Sequence, residues 1–262
     1  MTRAIILTYH AVENGPAPLC LHPDVFRAHV GVIQRSGIEV VTVAALARRL
    51  REQDLDKPTL TITFDDGFRS IVTTAGPILH DNGLPATVFC VAGRLGGKSD
   101  WPSARSGTFT GALADESELI RLRTLGFELG SHGMQHEPLV GDDEDLVRAE
   151  IVGSKVLLEE RLGVTVDSFA YPYGAAPSAA AARLVRHTYK AACTTALAEA
   201  TVESDPLELP RIDSYYVRRP ELLERALEGS LGSYLSRRRL GARARRLVRR
   251  DFAPAAARNA AP

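Results

Sequence analysis

Cysteine is sparse in this chain, and what there is does not pair. Cys20, Cys90 and Cys193 are spread over 262 residues. Their odd number and wide spacing exclude a disulfide framework and a cysteine-type zinc site. Cys90 and Cys193 lie in apolar, strand-like runs and read as buried thiols. Long apolar runs are also missing. No stretch reaches 18 consecutive apolar residues, so no membrane-spanning helix is expected. The short run 4–7 lacks the length and the cleavage site of a secretory signal, and a cytoplasmic location is the expectation. No glycine fingerprint follows the first strand, which argues against a dinucleotide-binding sheet.

Nor is there an excess of one charge: 32 basic and 32 acidic side chains give a formal net charge of zero. The distribution is uneven, however. Residues 237–250 hold eight arginines and no acid, and residues 1–236 carry 23 basic against 31 acidic side chains, a net −8. Nothing else in the chain resembles a nucleic-acid fold, so nucleic acid is not an expected partner. Hydrophobic residues make up 45 % and charged residues 24 %, ordinary for a globular protein. The length suffices for one large α/β domain.

What is present is a regular alternation. Strand-like runs at 4–9, 38–42, 60–64, 86–91, 126–131, 167–171, 191–195 and 207–213 are separated by helical patterns at 23–36, 43–51, 68–81, 115–125, 142–162, 177–189 and 218–229. Pro23 opens the first helix and Gly37 stops it; Pro77 kinks or restarts the third. Such βα units predict a parallel sheet. The connection 93–111 contains Trp101 and has few regular signals, so it reads as a lid or as a mobile loop.

The chemistry concentrates after the strands. Thr61-Ile62-Thr63-Phe64 runs into Asp65-Asp66-Gly67, where Gly67 permits a turn that brings both carboxylates to one spot. Two carboxylates at the mouth of a buried strand are costly unless a metal or a mechanism uses them. The strand at 126–131 is followed by His132-Gly133-Met134-Gln135-His136, whose imidazoles at i and i+4 can face one side of a turn. With one carboxylate they form a His₂Asp set suited to Zn²⁺, and Co²⁺, Ni²⁺ or Fe²⁺ are admitted too. Alone, Asp-Asp-Gly is usually a turn and HxxxH usually a solvated helix face. Both at strand ends are far more specific, although spacing does not choose between Asp65 and Asp66 as ligand. His10 and Tyr173 also follow strands, as site residues of a (β/α) barrel do.

Three motifs together, TFDDG (63–67), SHGMQH (131–136) and FAYPYG (169–174), resemble the NodB-homology polysaccharide deacetylases in order and separation, over roughly residues 4–215. The resemblance implies an α/β fold, a distorted (β/α)7–8 barrel in a single domain (1–228). An Arg-rich helix and an Ala/Pro tail (229–262) would follow it. It implies a metal-dependent hydrolase that removes N-acetyl groups from an acetylamino sugar, an oligosaccharide or a lipid-linked saccharide. Asp66, His132 and His136 would hold one divalent ion. Asp65 would be the general base, and the backbone N–H of Tyr173 an oxyanion donor.

Departures from the family pattern are as informative. Ala170 stands where many members have an arginine that orients the base, and Arg211 is the candidate replacement. Gly133 stands where Ser or Thr is commoner, which removes a loop-stabilising hydrogen bond. No Leu-x-His motif follows Tyr173. Instead, Leu7-Thr8-Tyr9-His10 resembles the first strand of the circularly permuted poly-N-acetylglucosamine deacetylases, which would make His10 the general acid. The same mechanism on a non-carbohydrate amide or an O-acetyl ester, or an inactive carbohydrate-binding protein, are the alternatives. For the tail, imperfect helical spacing of Leu231, Tyr234, Leu235, Leu240, Leu247 and Val248 among arginines suggests a basic amphipathic helix. Such a helix can touch an anionic membrane at its inner face.

Overall fold

The structure, a computed structural model, describes residues 2–104, 107–141, 143–174, 177–232 and 234–238. From residue 239 on, the expected Arg-rich helix lies outside the described residues. The start of that segment packs on the body: Leu231 and Leu235 are buried, and Tyr234 Oη donates to the Tyr216 carbonyl at 2.9 Å.

The chain runs from β1 (Arg3–Tyr9) through α1 (Pro23–Ser36) to β2 (Glu39–Val40), then through α2 (Val43–Arg51) to β3 (Thr59–Phe64). A π-helical turn (Ile71–Ala75) and α3 (Gly76–Asp81) lead to β4 (Thr87–Cys90), and α4 (Glu116–Thr124) precedes β5 (Glu128–Ser131). Next come α5 (Glu144–Arg148), a second π-helical turn (Ala149–Gly153), α6 (Ser154–Leu162) and β6 (Ser168–Ala170). The chain ends through α7 (Ala179–Thr188), β7 (Ala191–Cys193), β8 (Ala200–Thr201), β9 (Ile212–Asp213) and α8 (Pro220–Leu227).

Local chemistry explains these boundaries. Pro23 sits in the first turn of α1, where its missing N–H costs nothing, and Gly37 ends the helix in the left-handed region. Asp115 and Glu118 form a reciprocal capping box at the start of α4. Pro77 cannot donate a helical hydrogen bond, and the preceding turn widens so that Gly76 N–H reaches back to Ile71.

The nine strands form one curled sheet in the order β7-β6-β5-β4-β3-β1-β8, with β2 also on β3 and β9 also on β1. Every pairing is parallel except β1 with β8. The expected strand at 38–42 shrinks to two residues, because β2 pairs with Thr59 and Leu60 while β4 takes over the same edge at Thr63 and Phe64. The sheet closes through one short segment: Leu209 bridges Cys193 at the end of β7, and Ile212 pairs with Leu7 of β1. This is a distorted (β/α) barrel, as the βα alternation implies.

Period-two alternation sorts the side chains of β1. Ile5, Leu7 and Tyr9 join the core under the helices, while Ala4 and Ile6 join an interior cluster with Phe89, Ala170 and Cys193. Helix α2 plugs the N-terminal mouth with Val43, Leu46, Ala47 and Leu50. Burying Leu46 and Leu50 contributes roughly 1.5–3 kcal/mol each. Polar groups at the starts of β4 and β5 receive the same helix: Val43 N–H donates to Thr87 Oγ1 and Ala44 N–H to Glu128 Oε2, both at 3.0 Å. With that mouth filled, chemistry is left to the C-terminal strand ends.

Candidate active site

Every expected site residue but Arg211 sits at or just beyond a C-terminal strand end. His10 follows β1, Asp65 and Asp66 follow β3, His132 and His136 follow β5, and Tyr173 follows β6. Arg211 lies in the closing segment before β9. The ends of β1 and β3 are locked together, because Asp65 N–H donates to the Tyr9 carbonyl at 3.0 Å. His10 is half-buried, and a positive charge on it would favour the ionised forms of Asp65, Asp66 and Asp213, against the larger effect of burial.

Asp66, His132 and His136 are all buried, and their donor atoms lie within 4.8 Å of one another. Asp66 Oδ1 is 3.5 Å from His132 Nε2 and 3.3 Å from His136 Nε2. His132 Nδ1 donates to the Ala170 carbonyl at 2.7 Å, which fixes its tautomer and leaves the Nε2 lone pair facing the carboxylate. Asp66 Oδ1 has no hydrogen-bond partner among the described residues. Burial raises the Asp66 carboxyl above its usual range, while His10 and His132 work in the opposite sense. Burial also holds His136 well below the ordinary imidazole range, with His132 adding to the effect. Two imidazole nitrogens converging on an orphaned, buried carboxylate oxygen fit a divalent cation.

Asp65 faces a different partner. Arg211 donates from Nη1 to Oδ1 at 2.7 Å and from Nη2 to Oδ2 at 2.8 Å, and its Nε donates to the Thr194 carbonyl at 2.9 Å. Burial works against the charged carboxyl, but the Arg211 charge and hydrogen bonds, aided by His132, hold Asp65 well below the carboxylate range. The arginine absent at position 170 is thus matched by one that reaches Asp65 from the other side of the barrel closure. Strain marks the site as well. Asp66 (φ 69°), His136 (φ 63°) and Tyr173 (φ 57°) are three of the four non-glycine residues with positive φ among those described. Such conformations persist where surrounding structure over-determines them, and they cluster at functional sites.

The family model for polysaccharide deacetylases matches residues 52–192. The chain belongs to that family. Deacetylases of this family are metal-dependent, and Asp66, His132 and His136 form a group that could hold a metal ion. YxkH of Bacillus subtilis (strain 168), named for the same family, is 24 % identical over 170 residues, which cover 64 % of this chain and 56 % of YxkH. The chain spans about half the length of the curated relatives it matches. Among solved structures, Streptococcus pyogenes deacetylase PplD, in complex with acetate, superposes with a TM-score of 0.73 at 24 % identity, covering 86 % of this chain and 98 % of PplD. IcaB from Ammonifex degensii superposes with a TM-score of 0.72 at 20 % identity over the same shares. These likenesses confirm the barrel. His10 and Arg211 lie outside the matched residues.

Three contributors to the site escape the motifs. Glu150, in the second π-helical turn and buried, accepts backbone N–H groups from Met134 (2.9 Å), Gln135 (2.8 Å) and Glu137 (3.3 Å). It secures the turn between the two histidines, taking up the role expected of a hydroxyl at position 133. A Cβ on Gly133 (φ 87°) would collide with Glu150 Oε2. The available signal was an acid beside Ile151 on the buried face of a helix, one turn from Val147 and Ser154. Trp101 and Ser103 come from the 93–111 connection. Trp101 stacks on His136 with ring centroids 4.7 Å apart, and Ser103 Oγ donates to the His136 carbonyl at 3.2 Å and lies 2.9 Å from Tyr173 Oη. No local signal marks them, because their partners are distant in sequence.

Proposed function

We propose that this chain is a metal-dependent hydrolase that removes N-acetyl groups from an acetylamino sugar or a saccharide built from it. The observation that carries the proposal is the pairing of two carboxylates with two fates. Asp66 faces the Nε2 atoms of two imidazoles, while the adjacent Asp65 is gripped by Arg211. A binding module needs no such second carboxylate.

Asp66, His132 and His136 would hold the ion, with Zn²⁺ the best fit and Co²⁺, Ni²⁺ or Fe²⁺ compatible. When bound, the ion would polarise the acetyl carbonyl and acidify the attacking water. Asp65, kept ionised and oriented by Arg211, accepts the water's proton as the oxygen adds to the acetyl carbon. The backbone N–H of Tyr173, set by the turn after β6, donates to the carbonyl oxygen as negative charge gathers there; such a donor is typically worth about 3–4 kcal/mol. His10 protonates the leaving nitrogen, the C–N bond breaks, and acetate and a free amino sugar result.

The test combines metal analysis with acetate release from an N-acetylglucosamine oligomer and from a lipid-linked acetylamino sugar. One ion per chain with acetate release, both lost in Asp66→Ala, is the expected result. Stoichiometric metal without acetate from either substrate would sink the proposal.

The arginines of 237–250 support a second part of this reading: cytoplasmic, peripheral contact with an anionic membrane, where lipid-linked substrates reside. Each basic residue near such a surface contributes about 1 kcal/mol. Sedimentation with phosphatidylglycerol vesicles, comparing the full chain with one ending at Ser236, tests it. A full chain that stays in the supernatant at low salt would end the membrane idea.

A further inference from the structure

We infer that Trp101 is a positioning residue for His136, and that its indole reports occupancy of the Asp66–His132–His136 site. The inference rests on the metal-dependent reading above. It starts from a difference between the two histidines. His132 is held as metal-binding imidazoles usually are, its second nitrogen donating to a backbone carbonyl. His136 is not: its Nδ1 is buried and has no hydrogen-bond partner among the described residues. Its backbone adds no help, since φ 63° is a strained conformation for a histidine.

Aromatic contacts take the place of the missing hydrogen bond. The Trp101 indole lies 4.7 Å from the imidazole, inclined at 29° and therefore stacked. The Tyr173 ring meets it at 4.4 Å and 63°, edge to face. A ring packed against two others is restrained about Cβ–Cγ, so Nε2 stays directed at Asp66 Oδ1, 3.3 Å away.

The indole itself is fixed by a well-tied strap. Gly93 N–H donates to the Met134 carbonyl at 2.9 Å, and Arg94 Nε donates to Gln135 Oε1 at 2.8 Å. Ser99 N–H donates to the Gly111 carbonyl at 3.0 Å, and Gly111 N–H returns to Ser99 Oγ at 2.9 Å. Ser103, two residues beyond Trp101, bonds to the His136 carbonyl. Two of these ties end on the residues between the histidines and one on His136 itself. The described part of this connection is thus a wall of the metal site, and Trp101 is only 7 % exposed within it.

Because Trp101 is the chain's single tryptophan, all indole emission comes from this one position. An imidazole that binds a cation withdraws electron density from the stacked indole, and an open-shell ion such as Co²⁺ quenches at this range. The chelator-stripped full chain should therefore show a saturable emission change with Zn²⁺, complete at one equivalent, and quenching with Co²⁺. His136→Ala should abolish both. Trp101→Ala should weaken Zn²⁺ affinity about 10–100-fold, the usual scale for losing a ligand's supporting partner. Trp101→Phe should recover most of that loss, because it restores a stacked ring.

Two results overturn the inference alone: unchanged emission while the parent binds one Zn²⁺, or a Trp101→Ala chain that binds Zn²⁺ as tightly as the parent. A parent that binds no cation overturns the metal-dependent reading with it. If Trp101→Ala does not fold, the Trp101→Phe affinity and the parent's emission titration decide.

Discussion

Arg211 and Asp65, 146 residues apart in the chain, meet in a buried, two-pronged ion pair with N–O distances of 2.7 and 2.8 Å. The planar fork holds both carboxylate oxygens, so Asp65 is fixed in orientation as well as charge. Asp65→Asn should lower kcat by at least about 10²-fold, the scale of losing a general base, while one ion per chain remains. Arg211→Met should destabilise the fold by about 3–5 kcal/mol, because it leaves Asp65 charged and unpaired in the interior. Arg211→Lys keeps the charge without the fork and should fold better than Arg211→Met, yet turn over more slowly than the parent. Acetate-release kinetics, metal analysis and urea titration measure all three. Near-normal turnover in Asp65→Asn would rule out the base role.

Glu150 should be needed for the metal although it never touches one. Its carboxylate gathers three backbone N–H groups from the turn that spaces His132 and His136. Glu150→Gln leaves those donors a neutral acceptor in a buried place, a cost of about 1–3 kcal/mol, with Zn²⁺ affinity falling in step. Gly133→Ala attacks the same contact from the other side, since the new Cβ meets Glu150 Oε2 on backbone at φ 87°. The double variant should therefore lose less than the sum of the single losses. Full additivity in urea unfolding would mean that the two residues act separately.

Much of this site was legible because its chemistry is local. TFDDG and HxxxH each put their donors within a few residues of a strand end, where topology alone gathers them. The barrel was legible through alternation, and the limits of the first helix through Pro23 and Gly37. What escaped depends on contacts across the chain. The expected single helix 142–162 is interrupted by a π-helical turn in the stretch that carries Glu150, and only the histidine turn packed against it gives that turn a purpose. Strand β8 is two residues long and antiparallel, too short for any periodic signal. The 93–111 connection looked formless because much of its order comes from contacts to Gln135, His136 and Tyr173, distant in sequence.

His10 follows β1, half-buried, and near enough to both aspartates that a positive charge on it would favour their ionised forms. In the proposed role of general acid, His10 matters in proportion to how badly the leaving group needs a proton. An amine leaves poorly unprotonated, whereas an activated alkoxide leaves unaided. His10→Ala should thus reduce turnover of an N-acetyl sugar by about 10²-fold or more, and turnover of an activated acetyl ester far less. Metal content and melting temperature should stay close to the parent's. Equal losses on both substrates would indicate a binding or folding role instead.

Acid sensitivity should have an identifiable contribution far from the chemistry, where β2 meets the helix that plugs the barrel. Arg49 donates from Nη1 to Glu39 Oε2 at 2.8 Å and from Nη2 to Oε1 at 2.7 Å, and Lys57 Nζ lies 3.4 Å from Oε2. The Arg49 hydrogen bonds outweigh the opposing effect of burial and, with the charges of Arg49 and Lys57, bring the Glu39 carboxyl down to about 2 from its ordinary 4.5. Because the folded value is the lower one, the pair's stabilisation is complete above pH 4.5 and is lost as the pH falls through about 2. The carboxylate side chain is 31 % exposed, so solvent screening limits the effect to roughly 0.2–1 kcal/mol. That corresponds to a melting shift of at most about 2–4 °C for a chain of this size. Glu39→Gln should therefore melt slightly below the parent at pH 7. The gap should narrow below pH 4.5 and close toward the lowest pH at which the parent still shows a transition. Calorimetry across that range checks it, and a gap that stays constant with pH would show that the ion pair is not its source.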